Sequence, residues 1–157
     1  MHRIRLTQEQ TTLIDLDDYI RVDQYSWSYH KSGYACAKVN SKHTKLHRFI
    51  LQLEVGDKRS VDHINGDKLD NRKSNLRICT HSQNTKNRSP NTNGKSTYKG
   101  VDYQKRTSTW RARIRVDYKH IYLGDYRTEL EAALAYNKAA KEYHGDYAKL
   151  NEIKETK

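Results

Sequence analysis

The stretch VDHINGDKLDNRKSNLRICTHSQN, Val61 to Asn84, decides how this chain is read. Its apolar residues gather at two points, Val61 to Ile64 and Leu76 to Cys79, with a run of Asn, Gly, Asp, Lys, Arg and Ser between them. That pattern predicts two short strands joined by a long loop. Thr80 and Ser82 are good helix N-cap types, so a short helix is expected next. The unit is therefore strand, loop, strand, helix, with Asp62 and His63 on the first strand, Asn75 at the start of the second and Asn84 on the helix.

These residue types in this order suit the cutting of a phosphodiester. A side chain must activate water, and the site must offset charge on the phosphate and the departing oxygen. A neutral imidazole accepts a proton at pH 7, which makes His63 the candidate general base. A hard divalent cation takes oxygen ligands from carboxylates and amide carbonyls, and Asp62 and Asn84 supply one of each. One carboxylate argues for one metal ion. Asn75 can bridge the long loop through its amide and orient His63, a supporting role.

On these residues the stretch resembles the HNH nuclease motif, a ββα-metal fold, and in particular the phage and intron-encoded homing type. The resemblance implies His63 as general base, Asn75 as the loop-holding middle residue and Asn84 as the final ligand beside Asp62, with Asn87 as a rival ligand. The preceding LHRFIL is similar to the helix that leads into the nuclease unit of these proteins. A divalent ion, Mg²⁺ with Mn²⁺ as an alternative, and double-stranded DNA are the implied cofactor and partner, and the oligomeric state, monomer or homodimer, stays open.

The whole chain fits a polyanionic partner. Thirty Lys and Arg against 19 Asp and Glu give a net charge of +11 across 157 residues, and only 34% of them are hydrophobic. Twelve tyrosines against one Phe and two Trp suit small cores and wet interfaces. No apolar run approaches the about 20 residues needed to span a bilayer, so no membrane is expected. MHRIRLTQEQ lacks a hydrophobic signal region, so the expectation is a cytoplasmic protein that is not secreted, and the resemblance to phage homing nucleases implies a phage-infected bacterial host. Cys36 and Cys79 form no C-x-x-C pair and are read as small buried hydrophobes rather than zinc ligands.

The single proline, Pro90, lies in NRSPNTNGKST, which places a boundary there: 1–88 as a first module with its motif at 61–87, a linker at 89–97, and a second module at 98–151. Within the first module, SWSYHKSGYACAKVN predicts a hairpin turning at Ser32-Gly33, and HTKLHRFILQL places Leu46, Ile50 and Leu53 at helical spacing. In the second, TYKGVDYQK, TWRARIRV and KHIYLGDY predict three strands. Trp110, Ala112, Ile114 and Val116 alternate with Arg111, Arg113 and Arg115, so three arginines share the exposed face. Thr128 and Glu131 predict a capping box opening a helix that Gly145 ends, with Ala132, Tyr136, Ala139 and Tyr143 as its buried stripe.

YKGV, WRARIRV, YLGDY, EAALAYNKAA and GDYAKLN resemble the ethylene-response-factor DNA-binding domain of plant regulators, a three-stranded antiparallel sheet packed on one helix. In that family the sheet's arginines contact DNA, which implies contacts from Arg115 and Tyr122 at matching positions. Arg111 and Arg113 are expected beside them on the exposed arginine face and Lys105 and Arg106 in the adjoining turn, although DYQKR and Arg113 depart from the family pattern. The expectation is thus an α+β protein: a metal-dependent HNH DNA endonuclease module followed by a β-sheet DNA reader. The alternatives are a non-catalytic, sequence-specific DNA-binding regulator with a degenerate HNH fold, and an RNA-binding protein.

Overall fold

The computed structural model describes residues 1–54, 56–87 and 95–153. The chain divides into two units, Met1–His81 and Ser82–Lys157. Most of the expected linker, 89–94, lies outside the described residues.

The first unit opens with an antiparallel hairpin, β1 (His2–Arg5) and β2 (Thr11–Ile14), which sets Ile4 opposite Thr12. Sequence patterning does not announce it, because its turn places Gln8 and Glu9 at positive φ, 59° and 56°, where Gly or Asn is the usual signal. A single helical turn, α1 (Tyr19–Val22), leads to β3 (Ser28–Tyr29) and β4 (Ala35–Val39), the expected hairpin, with Gly33 at φ 87° in its turn. A third strand, β5 (Lys42–Lys45), follows a tight turn in which Asn40 and Ser41 both have positive φ.

Next comes α2 (Leu46–Ile50), shorter than HTKLHRFILQL suggests. His43, Thr44 and Lys45 belong to β5, and the helix ends in a Schellman closure: Gln52, at φ 53°, donates to Phe49 O at 3.1 Å and Leu53 donates to Arg48 O at 2.9 Å. Leu46, Ile50 and Leu53 are nonetheless all buried, so the spacing marked the core side correctly although Leu53 lies past the helix.

β6 (Ser60–His63) and β7 (Leu76–Cys79) pair antiparallel, with Asp62 opposite Arg77 and His63 opposite Leu76. A 3₁₀ turn, Lys73–Asn75, precedes β7. The short helix α3 (His81–Lys86) follows and straddles the division between the units. Val61, Asp62 and His63 are all buried, so β6 is covered on both faces. Val61 and Leu76 join a core that includes Ile14, Trp27, Leu46 and Ile50. Cys36 and Cys79 are free and buried, and burial pushes both thiols up.

In the second unit β8 (Val101–Gln104), β9 (Thr109–Val116) and β10 (Lys119–Tyr126) form an antiparallel sheet with β9 central. The helix α4 (Glu129–His144) carries both hydrogen bonds of the Thr128–Glu131 capping box, and Gly145 caps its end. Ala112 and Ile114 meet Ala132, Ala133, Tyr136, Ala139 and Ala140. Tyr143 is exposed, which corrects the expected stripe: the helix presses Tyr136 and its alanines on the sheet, and His144 rather than Tyr143 is the buried residue of its last turn. Gly100 sits at φ 73° where an added Cβ would strike the Tyr136 ring and lie 2.6 Å from Arg113 O. Asn151 ties the helix to the segment leading into β8, exchanging bonds with Asn137 on α4 and with the Lys99 backbone. Among the described residues no helix is long and apolar enough to cross a membrane.

Candidate active site and nucleic-acid face

His63 closes β6 and is only 5% exposed. Its Nε2 lies 3.2 Å from Asn71 Oδ1, and Asn71 in turn donates through Nδ2 to Thr12 Oγ1 at 2.8 Å. The His47 ring meets His63 nearly edge-on, with centroids 5.2 Å apart, and the Tyr34 ring lies edge-on to His47 and tilted against His63. Lys45 and Lys68 place their ammonium groups 4.5 and 4.7 Å from the Tyr34 ring centre.

Burial depresses both imidazoles. His47 is pushed down to about 3, by desolvation first and then by His63, Lys45 and Arg48. His63 is also lowered by desolvation, against the pull of its bond to Asn71 and of Asp62, Asp67 and Asp70. Both rings are therefore neutral at pH 7, the state in which an imidazole can take a proton.

Asn75 fastens the loop behind His63. Its Oδ1 accepts from Asn65 N–H at 3.0 Å, its Nδ2 donates to Asp70 O at 2.8 Å, and its backbone carbonyl accepts from Ile64 N–H at 2.9 Å. One residue, at the end of the 3₁₀ turn, thus ties together both ends of the loop. Asp70 adds a second clamp, accepting from Asn65 and from two nitrogens of Arg72, whose guanidinium holds its carboxyl low. Arg48, on α2, donates to the carbonyls of Glu54, Asp57 and Arg59 and so anchors the segment entering β6.

Asp62 is buried and paired with Arg77 directly across the hairpin, Nε and Nη2 lying 2.8 and 2.6 Å from Oδ2. Sequence reasoning missed this contact, although pairing Val61 with Ile78 would have found it, since the next rung is Asp62 with Arg77. Asn84 is half-buried on α3 and belongs with the second unit, and Asn87 is buried just after that helix. Asp62, His63 and Asn75 are thus brought together within the first unit. Among the described residues no cluster of three His, Cys, Asp or Glu is placed to hold a metal ion. The donor chemistry on offer, one carboxylate and neutral amides, is that of a hard, partly hydrated divalent cation rather than zinc.

On the second unit the outer sheet face carries Arg111, Arg113 and Arg115, with Tyr122 on β10 opposite Arg113. Lys105 and Arg106 are exposed in the β8–β9 turn. The face is less uniformly positive than counting charges along the chain suggests. Arg111 pairs with Asp125 at 2.9 Å and Arg113 with Asp102 at 2.7 Å, both carboxylates coming from neighbouring strands. Arg115 leans on the Tyr118 ring and forms no ion pair among the described residues.

The HNH endonuclease family model matches residues 44–86, the segment from β5 through α3. An uncharacterized HNH endonuclease, L560, of Acanthamoeba polyphaga mimivirus is 36% identical over 144 residues, covering 89% of this chain and 74% of the relative. Two Arabidopsis thaliana proteins match shorter stretches. The ethylene-responsive transcription factor WRI1 is 45% identical over 60 residues, 37% of this chain and 14% of its own. The AP2-like ethylene-responsive transcription factor At1g16060 is 46% identical over 54 residues, 33% of this chain and 16% of its own. No solved structure matches. With the family motif lying on the β6–β7 hairpin around a neutral His63, and with a viral HNH endonuclease similar along most of its length, the chain belongs to the HNH endonuclease family.

Proposed function

We propose that the chain is a metal-dependent DNA endonuclease of the homing type, with its nuclease chemistry in the first unit and a DNA-reading sheet in the second. The observation that carries this reading is His63: a buried, neutral imidazole held against the Asn71 amide, inside the segment the family model matches. His63 takes a proton from water as the new oxygen–phosphorus bond forms. The bond from phosphorus to the 3′ oxygen breaks, and its electron pair leaves with that oxygen, which gains a proton from solvent. The products carry 5′-phosphate and 3′-hydroxyl ends.

Asp62 and Asn84 would hold a single divalent ion, Mg²⁺ or Mn²⁺, whose charge would offset that of the phosphate and the leaving oxygen. Asn75 keeps the loop in place so that His63 holds its direction. Arg111, Arg113, Arg115 and Tyr122, with Lys105 and Arg106 at the sheet's edge, contact duplex DNA; the similarity of part of the chain to plant transcription factors supports this assignment.

A second reading, a DNA-binding regulator with a degenerate HNH fold, is favoured by the grip of Arg77 on Asp62, since a guanidinium competes with a cation for the same carboxylate. A supercoiled-plasmid assay separates the two. Endonuclease activity predicts nicked product with Mg²⁺ or Mn²⁺, none with EDTA, and weakened metal response in Asp62→Asn and, more mildly, in Asn84→Ala. Duplex binding without nicking in any divalent metal would favour the regulator.

A further inference from the structure

The hydrogen bonds behind His63 have one self-consistent polarity. Leu69 O is a carbonyl and can only accept, and Thr12 Oγ1 lies 2.7 Å from it, so the single hydroxyl proton of Thr12 points there. Thr12 Oγ1 is left with lone pairs toward Asn71 Nδ2 at 2.8 Å, so Asn71 must present its NH₂ on that side. The same NH₂ reaches Lys68 O at 3.4 Å. The other arm of the Asn71 amide is then the carbonyl, which faces His63 Nε2 at 3.2 Å and can only accept. In a neutral ring Nε2 therefore carries the hydrogen, and Nδ1 carries the lone pair.

We infer that Thr12 and Asn71 are positioning residues that lock His63 as its Nε2–H tautomer and make Nδ1 the nitrogen that takes the proton of the attacking water. The second half of this inference rests on the proposed role of His63 as base.

Burial makes the lock effective. Thr12 and Asn71 are 0% and 1% exposed, so water does not offer the amide a substitute partner. Thr12 is set by the backbone bonds of the next residue: Leu13 N–H donates to Leu69 O and Leu13 O accepts from Asn71 N–H, both at 2.8 Å, a parallel bridge placing β2 beside Asp70. Thr12 also lies outside residues 44–86, the extent of the family match. The N-terminal hairpin, which contributes no candidate base or metal ligand, would thus fix the state of the base from about fifty residues away in sequence.

The test reads the tautomer directly, by long-range ¹H–¹⁵N spectra of the full-length chain labelled with ¹⁵N-histidine, alongside plasmid nicking with Mg²⁺. Wild type should show His63 with Nε2 protonated and Nδ1 as the lone-pair nitrogen. Thr12→Val keeps the shape but removes the acceptor, so the amide can turn over. The Nδ1–H form should then appear, and kcat should fall about tenfold or more with KM little changed, as for a base held in the wrong tautomer. Thr12→Ser should restore both readouts. A wild-type ring protonated on Nδ1, or a Thr12→Val spectrum identical to wild type, would overturn the lock; the wild-type measurement stands even if Thr12→Val fails to fold. The expected spectrum in a chain that nicks no DNA would overturn the base role, and the proposed function with it, while leaving the lock intact.

Discussion

Acidification from pH 7 to pH 5 should cost the first unit about 2 kcal/mol of stability through His47 alone. Burial pushes this imidazole down to about 3, whereas in the unfolded chain it titrates near its ordinary 6.5. As pH falls through 6.5 the unfolded chain takes up a proton and the folded unit does not. The stability held by the neutral ring is thus fully present above that pH and is lost between it and about 3, at a slope approaching about 1.4 kcal/mol per pH unit. One and a half units below 6.5, the loss is about 2 kcal/mol, and moving the folded value by a unit would barely alter it, because pH 5 stays above either. His63, lowered by the same burial, adds in the same direction.

The assay is urea denaturation at both pH values, followed by Trp27, which is buried and donates to Val22 O at 2.8 Å. A Trp110→Phe background leaves Trp27 as the sole tryptophan, so the signal belongs to the first unit. His47→Phe keeps an aromatic ring against Tyr34 and His63 without the titration, and should flatten the pH dependence by the His47 share. Equal pH dependence in His47→Phe and its parent would refute the reasoning.

Four further substitutions probe the second unit. Gly100→Ala should destabilise it by about 2 kcal/mol or more, read by Trp110 fluorescence, because the new Cβ meets the Tyr136 ring and the Arg113 carbonyl at a left-handed φ; a wild-type midpoint would contradict this packing. Arg115→Gln should lower the slope of log affinity for duplex DNA against log salt by about 0.9, and Arg111→Gln by less, since Asp125 already meets its charge. Asp125→Asn should tighten binding, and anisotropy titrations at several salt concentrations check all three; weaker binding by Asp125→Asn would place DNA elsewhere than on this face.

The β6–β7 hairpin was legible because two apolar clusters bracket a loop of turn-forming and polar residues, and the second unit because TWRARIRV alternates and Thr128–Glu131 caps a helix. What stayed hidden follows from contacts distant along the chain. The β1–β2 hairpin turns through Gln8 and Glu9, residues without a turn signature, and its Thr12 is a buried hydroxyl whose partners, Leu69 and Asn71, lie far along the sequence. Asn71 reads as one more polar loop residue until burial shows that its amide has nowhere else to bond. Asp102 and Asp125 look like minor offsets in a basic segment, yet cross-strand pairing sets each against an arginine of the outer face. Register, burial and hydrogen-bond polarity are properties of pairs, and a linear pattern carries them only where the pair is close in sequence.

The most direct measurement compares wild type with His63→Ala for Mg²⁺-dependent nicking of supercoiled DNA and for duplex affinity in the same buffer. The base acts in the transition state, so kcat should fall by about 10²- to 10⁴-fold while affinity stays close to wild type. Near-normal turnover in His63→Ala, or a loss of nicking that merely follows a loss of DNA binding, would contradict the assignment of His63 as the general base.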